Sequence, residues 1–352
     1  MKERRLAIDL LKIIATLMVV MLHVNGYLND TVPFEEFSFS SSFIWHLTEA
    51  FAYPAIHLFV IISAFLLIEK GDNSIFKSGL NSWLQTWIVS VVGLVLAVAF
   101  KVPFGLKDAF SSVFPFLGRA YWYVSDAIAL LLLMPILNRI VNVLNQNQLK
   151  YLIITMFGLI SVLPTFLSMF NWTQDYSNIG LFLLLYFAVA YIKKHCNNRI
   201  LVRGGGQIWL LSLTLLFGSW LFLHQMSSRF PAIAGREMIF YQYCSPFVIG
   251  EALGLFLAMF NMEKMHKKRL VGIFSNASLV IYLIHMHPIF KNQYVAWNAF
   301  GWINVSNPAW MAAQLLLLIM SIYLVGVVIS VPVIKISTLL VNKVMNMRFC
   351  KF

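Results

Sequence analysis

Apolar runs of about 20 residues, the length a helix needs to cross a bilayer, recur from one end of this 352-residue chain to the other. They fall at 6–28, 44–68, 80–100, 121–138, 150–170, 178–192, 208–226, 237–260, 271–290 and 309–333. The longest stretch between them, 101–120, is too short to bury a core of its own. Only 11% of residues are charged and 60% are hydrophobic, whereas a soluble domain carries about 25% charged residues. A water-soluble globule is excluded. The expected fold is all-α, a polytopic membrane helix bundle of about ten transmembrane helices, with residues 1–352 forming one integral-membrane domain.

The formal charge of +12 would suggest nucleic acid as the partner of a soluble protein. In this chain the excess fits cytoplasmic loops that retain Lys and Arg, so no nucleic-acid partner is expected and the lipid bilayer is. Placing the N-terminus in the cytoplasm puts most of the 26 Lys and Arg on the inner side. Both termini are then cytoplasmic. The segment 101–120, with Lys101, Lys107 and Arg119, becomes an outer one that is re-entrant or lies on the surface. The first span follows a short basic start and lacks a small-residue cleavage site, so it reads as a retained helix. The 3 cysteines, Cys196, Cys244 and Cys350, make neither a disulfide frame nor a metal site. No nucleotide-binding or hydrolase motif appears. The triplet Gly204 to Gly206 reads as a loop between helices.

Ionisable groups are costly inside a bilayer, so their arrangement points to function. In the first helix Arg5, Asp9, Lys12, Thr16, His23 and Tyr27 fall within about 60° of one another at 100° per residue. The rest of that stretch is aliphatic, so the stripe is expected to face protein or water. Arg5 and Asp9, four apart, suit a pair. Lys12 has an alternative as a side chain reaching the headgroups. His23 lies about 16 Å above Lys12 along the axis, and its imidazole can take a proton from a hydroxyl near neutral pH; a satisfied interfacial histidine is the competing reading.

In the ninth span Ser275, Ser278, Tyr282 and His285 share a helical face, which puts a second histidine at a height similar to His23. His287, before Pro288, reads as an interfacial group. In the second span Glu49, Tyr53 and His57 are four apart, with Ser63 deeper; Glu49 and His57 suit a structural pair. The fourth span opens with Tyr121, Trp122, Tyr123 and Asp126, a belt of rings or, if turned inward, a sugar-binding wall. Glu251 lies between Gly250 and Gly254, which suggests close helix packing with Glu251 bonding across it.

Four islands together resemble the integral-membrane acyltransferase-3 family. Ile8 to His23 looks like its opening helix, D-x-x-R followed by histidine eleven residues after the basic position, with Lys12 in the place of Arg. His57 to Leu67 resembles F-F-x-I-S-G-F-L-L, with Ala64 for Gly. Trp122 to Leu137 resembles W-F-L with a later proline, Pro135, and Ala120 stands where some members have His. Ser278 to His285 resembles S-x-x-I-Y-L-I-H. A basic cluster after the second helix is reduced to Lys77.

This resemblance implies transfer of an acyl group, often acetyl, from cytoplasmic acyl-CoA to a hydroxyl of an extracytoplasmic glycan, in the cell membrane of a bacterium. Acyl-CoA is then a co-substrate, and no cofactor is permanently bound. By similarity His23 is the acid/base or acyl-relay residue, with Asp9 and His285 assigned beside it as catalytic. Lys12, Arg5, Ser63 and Tyr282 are assigned to the donor, and Trp122, Tyr123, Asp126 and Glu49 to the acceptor. A proton-coupled transporter, or a family member that has lost activity, are the alternatives.

Overall fold

The computed structural model describes residues 6–118, 120–167, 179–195, 198–260 and 269–347. Its elements are helical: α1 (Leu6–Thr31), α2 (Phe39–Ala52), α3 (Ala55–Leu67), α4 (Asp72–Ala99), α5 (Leu106–Val113), α6 (Trp122–Val143), α7 (Gln146–Phe157), α8 (Leu163–Phe166), α9 (Ile179–His195), α10 (Asn198–Ser227), α11 (Pro246–Phe260), α12 (Arg269–Asn276), α13 (Ser278–His285), α14 (Pro288–Lys291), α15 (Gln293–Ala296) and α16 (Pro308–Asn346). Among the described residues 7 helical stretches are long and apolar enough to cross a membrane: Leu6–Thr31, Phe39–Leu67, Asp72–Ala99, Trp122–Val143, Gln146–Phe166, Gly204–Ser227 and Pro308–Asn346. The expected polytopic bundle is therefore what the chain forms.

Three of the expected spans take other forms. The 178–192 run is the 17-residue α9. Residues 237–245 are turns, and the helix starts only at Pro246, where a ring that lacks an N–H costs nothing in the first turn. The 271–290 run is broken at Ala277 and again after His285, into α12, α13 and α14; Pro288 opens α14 and disfavours helix in the residue before it. Conversely, Gly204 to Gly206 is not a loop but lies inside α10.

The chain divides into two compact units. One comprises residues 1–19, 43–68 and 136–267. Here α10 pairs with α11, α9 with α3 and α7, and α3 with α11, and a core forms from Ala50, Leu216, Trp220, Tyr241 and Val248. The glycines explain the closeness of α10 and α11. A Cβ at Gly205 would lie 2.5 Å from the Ala258 nitrogen, and one at Gly254 2.4 Å from the Trp209 nitrogen. Glycine costs helix stability, and this contact repays it. The expected close packing around Glu251 is present, but its carboxyl oxygens make no hydrogen bond among the described residues, although the Trp209 indole N–H lies beside them.

The other unit comprises residues 20–42, 69–135 and 268–352. In it α4, α13 and α16 pack against one another, and α5 packs on α4 and α14, around Val89, Tyr121, Val124, Val280, Leu283 and Val333. Along α16, Met311, Leu315, Ile319, Tyr323, Gly326, Ser330, Val333, Ser337 and Val341 are buried, while Leu316, Leu317, Val325, Val328 and Leu339 are exposed. A helix apolar on its exposed face as well as its buried one is suited to lipid.

These approaches make opposite predictions for two glycines of the first unit. Gly254→Ala must push a Cβ into backbone and is expected to cost about 1–3 kcal/mol. Gly218, also in a helix, has nothing within 4 Å of its would-be Cβ, so Gly218→Ala should stabilise by up to about 1 kcal/mol. Unfolding of the two variants in detergent checks this; equal shifts would contradict the α10–α11 contact.

Candidate active site

The α1 stripe faces protein. Asp9 and Thr16 are buried, Lys12, His23 and Tyr27 are half-buried, and no residue from Leu6 to Asn25 is exposed. Asp9 and Lys12 belong to the first unit and His23 and Tyr27 to the second, all on one continuous helix. Arg5 lies outside the described residues.

The second unit holds the side-chain constellation of greatest chemical interest. Nδ1 of His23 lies 2.8 Å from Nε2 of His285, so the two histidines expected at similar height do meet. Nδ1 of His285 is 2.6 Å from the Ile281 carbonyl oxygen. A carbonyl oxygen only accepts, so His285 Nδ1 carries a proton and donates it. With both rings neutral, His285 Nε2 is then bare and accepts from His23 Nδ1–H. The remaining lone pair of the dyad is on Nε2 of His23, which makes no hydrogen bond among the described residues.

This arrangement depends on how α13 ends. The last four carbonyls of a helix have no partner within it. Here the Tyr282 carbonyl accepts from the Met286 N–H (3.1 Å) and the Ile284 carbonyl from the His287 N–H (3.3 Å). The Leu283 carbonyl accepts from the Tyr121 hydroxyl (3.2 Å), and the His285 carbonyl from the Tyr294 hydroxyl (3.3 Å). Burial pushes the Tyr294 phenol up to about 12, so it remains a donor at any ordinary pH. Gly326 of α16 supports the same helix, because a Cβ there would be 2.7 Å from the Ile281 side chain.

His287, expected as an interfacial group, is enclosed by protein. It is buried, its Nε2 donates to the Ser90 carbonyl (3.0 Å), and its Nδ1 accepts from the Ile289 N–H (3.3 Å). Both ring nitrogens serve backbone, and Gly93 leaves room for the ring, since a Cβ there would be 2.3 Å from Nε2. Ser90 also donates to the Tyr121 hydroxyl (3.4 Å).

Aromatic rings surround the dyad. Tyr282 stands 6.1 Å from His23 and 6.0 Å from His285, centroid to centroid, and meets Tyr121 at 6.0 Å and Tyr123 at 5.9 Å. The rings that open α6 are thus turned inward at Tyr121 and Tyr123, with Trp122 against Tyr123 and Asp126 half-buried one turn on. Tyr27 donates to the Met286 sulfur (3.4 Å) and packs against Tyr294 and Phe300. The sequence offers no periodic signal for Tyr294 or Phe300, because they lie in the single-turn α15 and the turn after it, between the longer helices.

Glu49 and Ser63 are in the other unit, where Glu49 is buried and Ser63 half-buried. The expected Glu49–His57 pair does not form. Nε2 of His57 donates to the Tyr243 carbonyl (2.7 Å), and its Nδ1 has no partner among the described residues. Glu49 instead interacts electrostatically with Tyr241, as does Glu251.

In comparisons with known proteins, no curated protein and no solved structure matches the chain. A family model described as an acyltransferase domain matches residues 5–334. That match covers the opening stripe, the α6 rings and the α13 histidine in one alignment, and on it the chain belongs to the acyltransferase-3 family of membrane acyltransferases.

Proposed function

We infer that this membrane acyltransferase moves an acyl group, acetyl in the simplest case, from cytoplasmic acyl-CoA to a hydroxyl of an extracytoplasmic glycan, with His23 as the general base. The observation that carries the reading is the proton placement in the His23–His285 pair, which leaves His23 Nε2 as an uncommitted lone pair on a ring 6.1 Å from that of Tyr282. In the proposed step Nε2 takes the proton of the acceptor hydroxyl as its oxygen attacks the thioester carbonyl. A C–O bond forms, the C–S bond breaks, and the proton passes to the departing thiolate to give CoA–SH and the ester. His285 is a positioning residue: bound to the Ile281 carbonyl, it holds His23 in the tautomer whose base faces away from the pair.

Tyr123 and Tyr282, with Trp122 and Asp126 nearby, suit the acceptor, since aromatic faces stack on sugar rings and a carboxylate accepts from hydroxyls. Lys12 is proposed as a point charge for the donor's phosphates. It lacks the two-pronged geometry of Arg but keeps the charge. Asp9 is the buried carboxylate on the same helix, and its proposed part is structural support of the stripe. A bacterial cell membrane is the proposed setting.

Acyl transfer by purified protein in nanodiscs, with acetyl-CoA as donor and surface glycan as acceptor, tests the reading. His23→Ala should lower turnover by about 10²–10⁴-fold at normal expression. Full activity in that variant rejects the base, and solute uptake without CoA release selects the transporter. His285→Ala should lower kcat by about 10²-fold with the donor KM little changed, because it frees the base to turn. Lys12→Gln is expected to raise the donor KM by about tenfold, with Lys12→Arg at or below the parent value.

A further inference from the structure

Lys291 closes α14, six residues beyond His285, and its backbone N–H returns to the His287 carbonyl (2.9 Å). The segment it belongs to is folded back on the dyad. Tyr294, three residues on, donates to the His285 carbonyl, and its ring meets Tyr27. On its far side the segment is tied to α5 and the turn before it, where Asn292 donates to Asp108 (3.4 Å) and Gln293 to the Pro103 carbonyl (3.0 Å). The Lys291 side chain therefore hangs from a backbone fixed on both flanks.

The ammonium itself is not so engaged. It is half-buried, yet makes no hydrogen bond or ion pair among the described residues. Asp108 attracts it electrostatically without a hydrogen bond or ion pair to it, and the Asp108 oxygens accept instead from Asn292 and from the Gly105 N–H (3.2 Å). Burial pushes the ammonium below its ordinary range and Lys107 adds to this, while Asp108 opposes it. The same charge is within electrostatic reach of His23 and of His287. A half-buried cation without a hydrogen-bonded counter-ion is costly, and the natural relief is an anion that arrives with the substrate.

We propose that Lys291 is an acceptor-recognition residue, and that the acceptor carries an anionic group, carboxylate or phosphate, near the hydroxyl that His23 activates. This rests on the acyl-transfer reading of the dyad and adds the chemical class of the acceptor. The anion supplies the missing partner of the ammonium, and a charge-assisted contact on that side directs one hydroxyl of the sugar toward Nε2.

Three probes that differ only at C6 test it with full-length protein in nanodiscs: methyl glucoside, methyl glucuronide and methyl glucoside 6-phosphate. Binding is measured by calorimetry and acetyl transfer from acetyl-CoA in parallel. At least one anionic probe should bind at least about tenfold tighter than the neutral one, and which one it is separates carboxylate from phosphate. In Lys291→Gln that preference should fall to about one, and in Lys291→Arg it should persist. Equal binding of all three probes by the parent, or a preference that survives Lys291→Gln, overturns the proposal. So does a fall in kcat shared by charged and neutral acceptors at constant KM, which would give Lys291 to the transition state instead. Lys291-dependent binding of an anionic probe without any acyl transfer would keep Lys291 as an anion-recognition residue and reject the acyl-transfer reading; transfer with no preference for charge would do the reverse.

Discussion

A helix of two turns that ends inside an apolar unit must find donors for four carbonyls, and the second unit is arranged around that demand. Two of the donors are the N–H groups of Met286 and His287, supplied by the chain's own tight exit from α13. The other two are phenols, from Tyr121 ahead of α6 and from Tyr294 in α15. Meeting the backbone's needs thus brings two aromatic rings to the histidines. The wall around the dyad is in part a consequence of the way α13 ends. The Ile281 carbonyl, one residue earlier, then determines which nitrogen of His285 is protonated.

The three histidines of the unit differ in how far the backbone has claimed them. His287 gives both nitrogens to main-chain partners and cannot act without loosening α14 and its hold on Ser90. His285 gives one nitrogen to main chain and the other to His23. His23 is held by its neighbour alone and keeps one nitrogen uncommitted. The groups most tightly bound to backbone shape the site, and the least bound suits chemistry. In the other unit His57 gives Nε2 to the Tyr243 carbonyl, and its Nδ1 has no hydrogen-bond partner among the described residues.

Helical spacing made much of this legible. At 100° per residue the α1 stripe and the alignment of Tyr282 with His285 follow from the sequence; the contact between His23 and His285 further needs the two faces to meet, as they do in the structure. What lies between helices was not legible in the same way. Tyr294 sits in the single-turn α15 and Phe300 in the turn after it, too short for a period to tie side-chain direction to position. On a continuous helix Ser275 would extend the α13 face, but the break at Ala277 puts it in α12, where its carbonyl accepts from the Ser278 hydroxyl. Gly204 to Gly206 looked like a turn because glycine serves turns, close contacts and flexible linkers alike. Only the partner helix α11 shows that close contact is the reason at Gly205, while Gly204 and Gly206 have nothing within 4 Å of a would-be Cβ. His57 lies at the right spacing for Glu49 on a continuous helix, but Tyr53 and Pro54 separate α2 from α3, and the ring is claimed by a carbonyl from another segment.

Orienting a base with a second imidazole rather than a carboxylate has a physical logic in an apolar protein. A buried carboxylate brings a charge whose desolvation must be offset even when no substrate is bound. An imidazole anchored on a peptide carbonyl gives the same control of tautomer with no net charge. Under the proposed chemistry the consequence falls on the reaction itself. Once His23 accepts a proton, its partner supplies no opposite charge to stabilise the imidazolium, so a long-lived charged intermediate is disfavoured. The route best suited to a neutral pair is one in which the proton leaves for the thiolate as the C–S bond breaks, so that the base is charged only in passing.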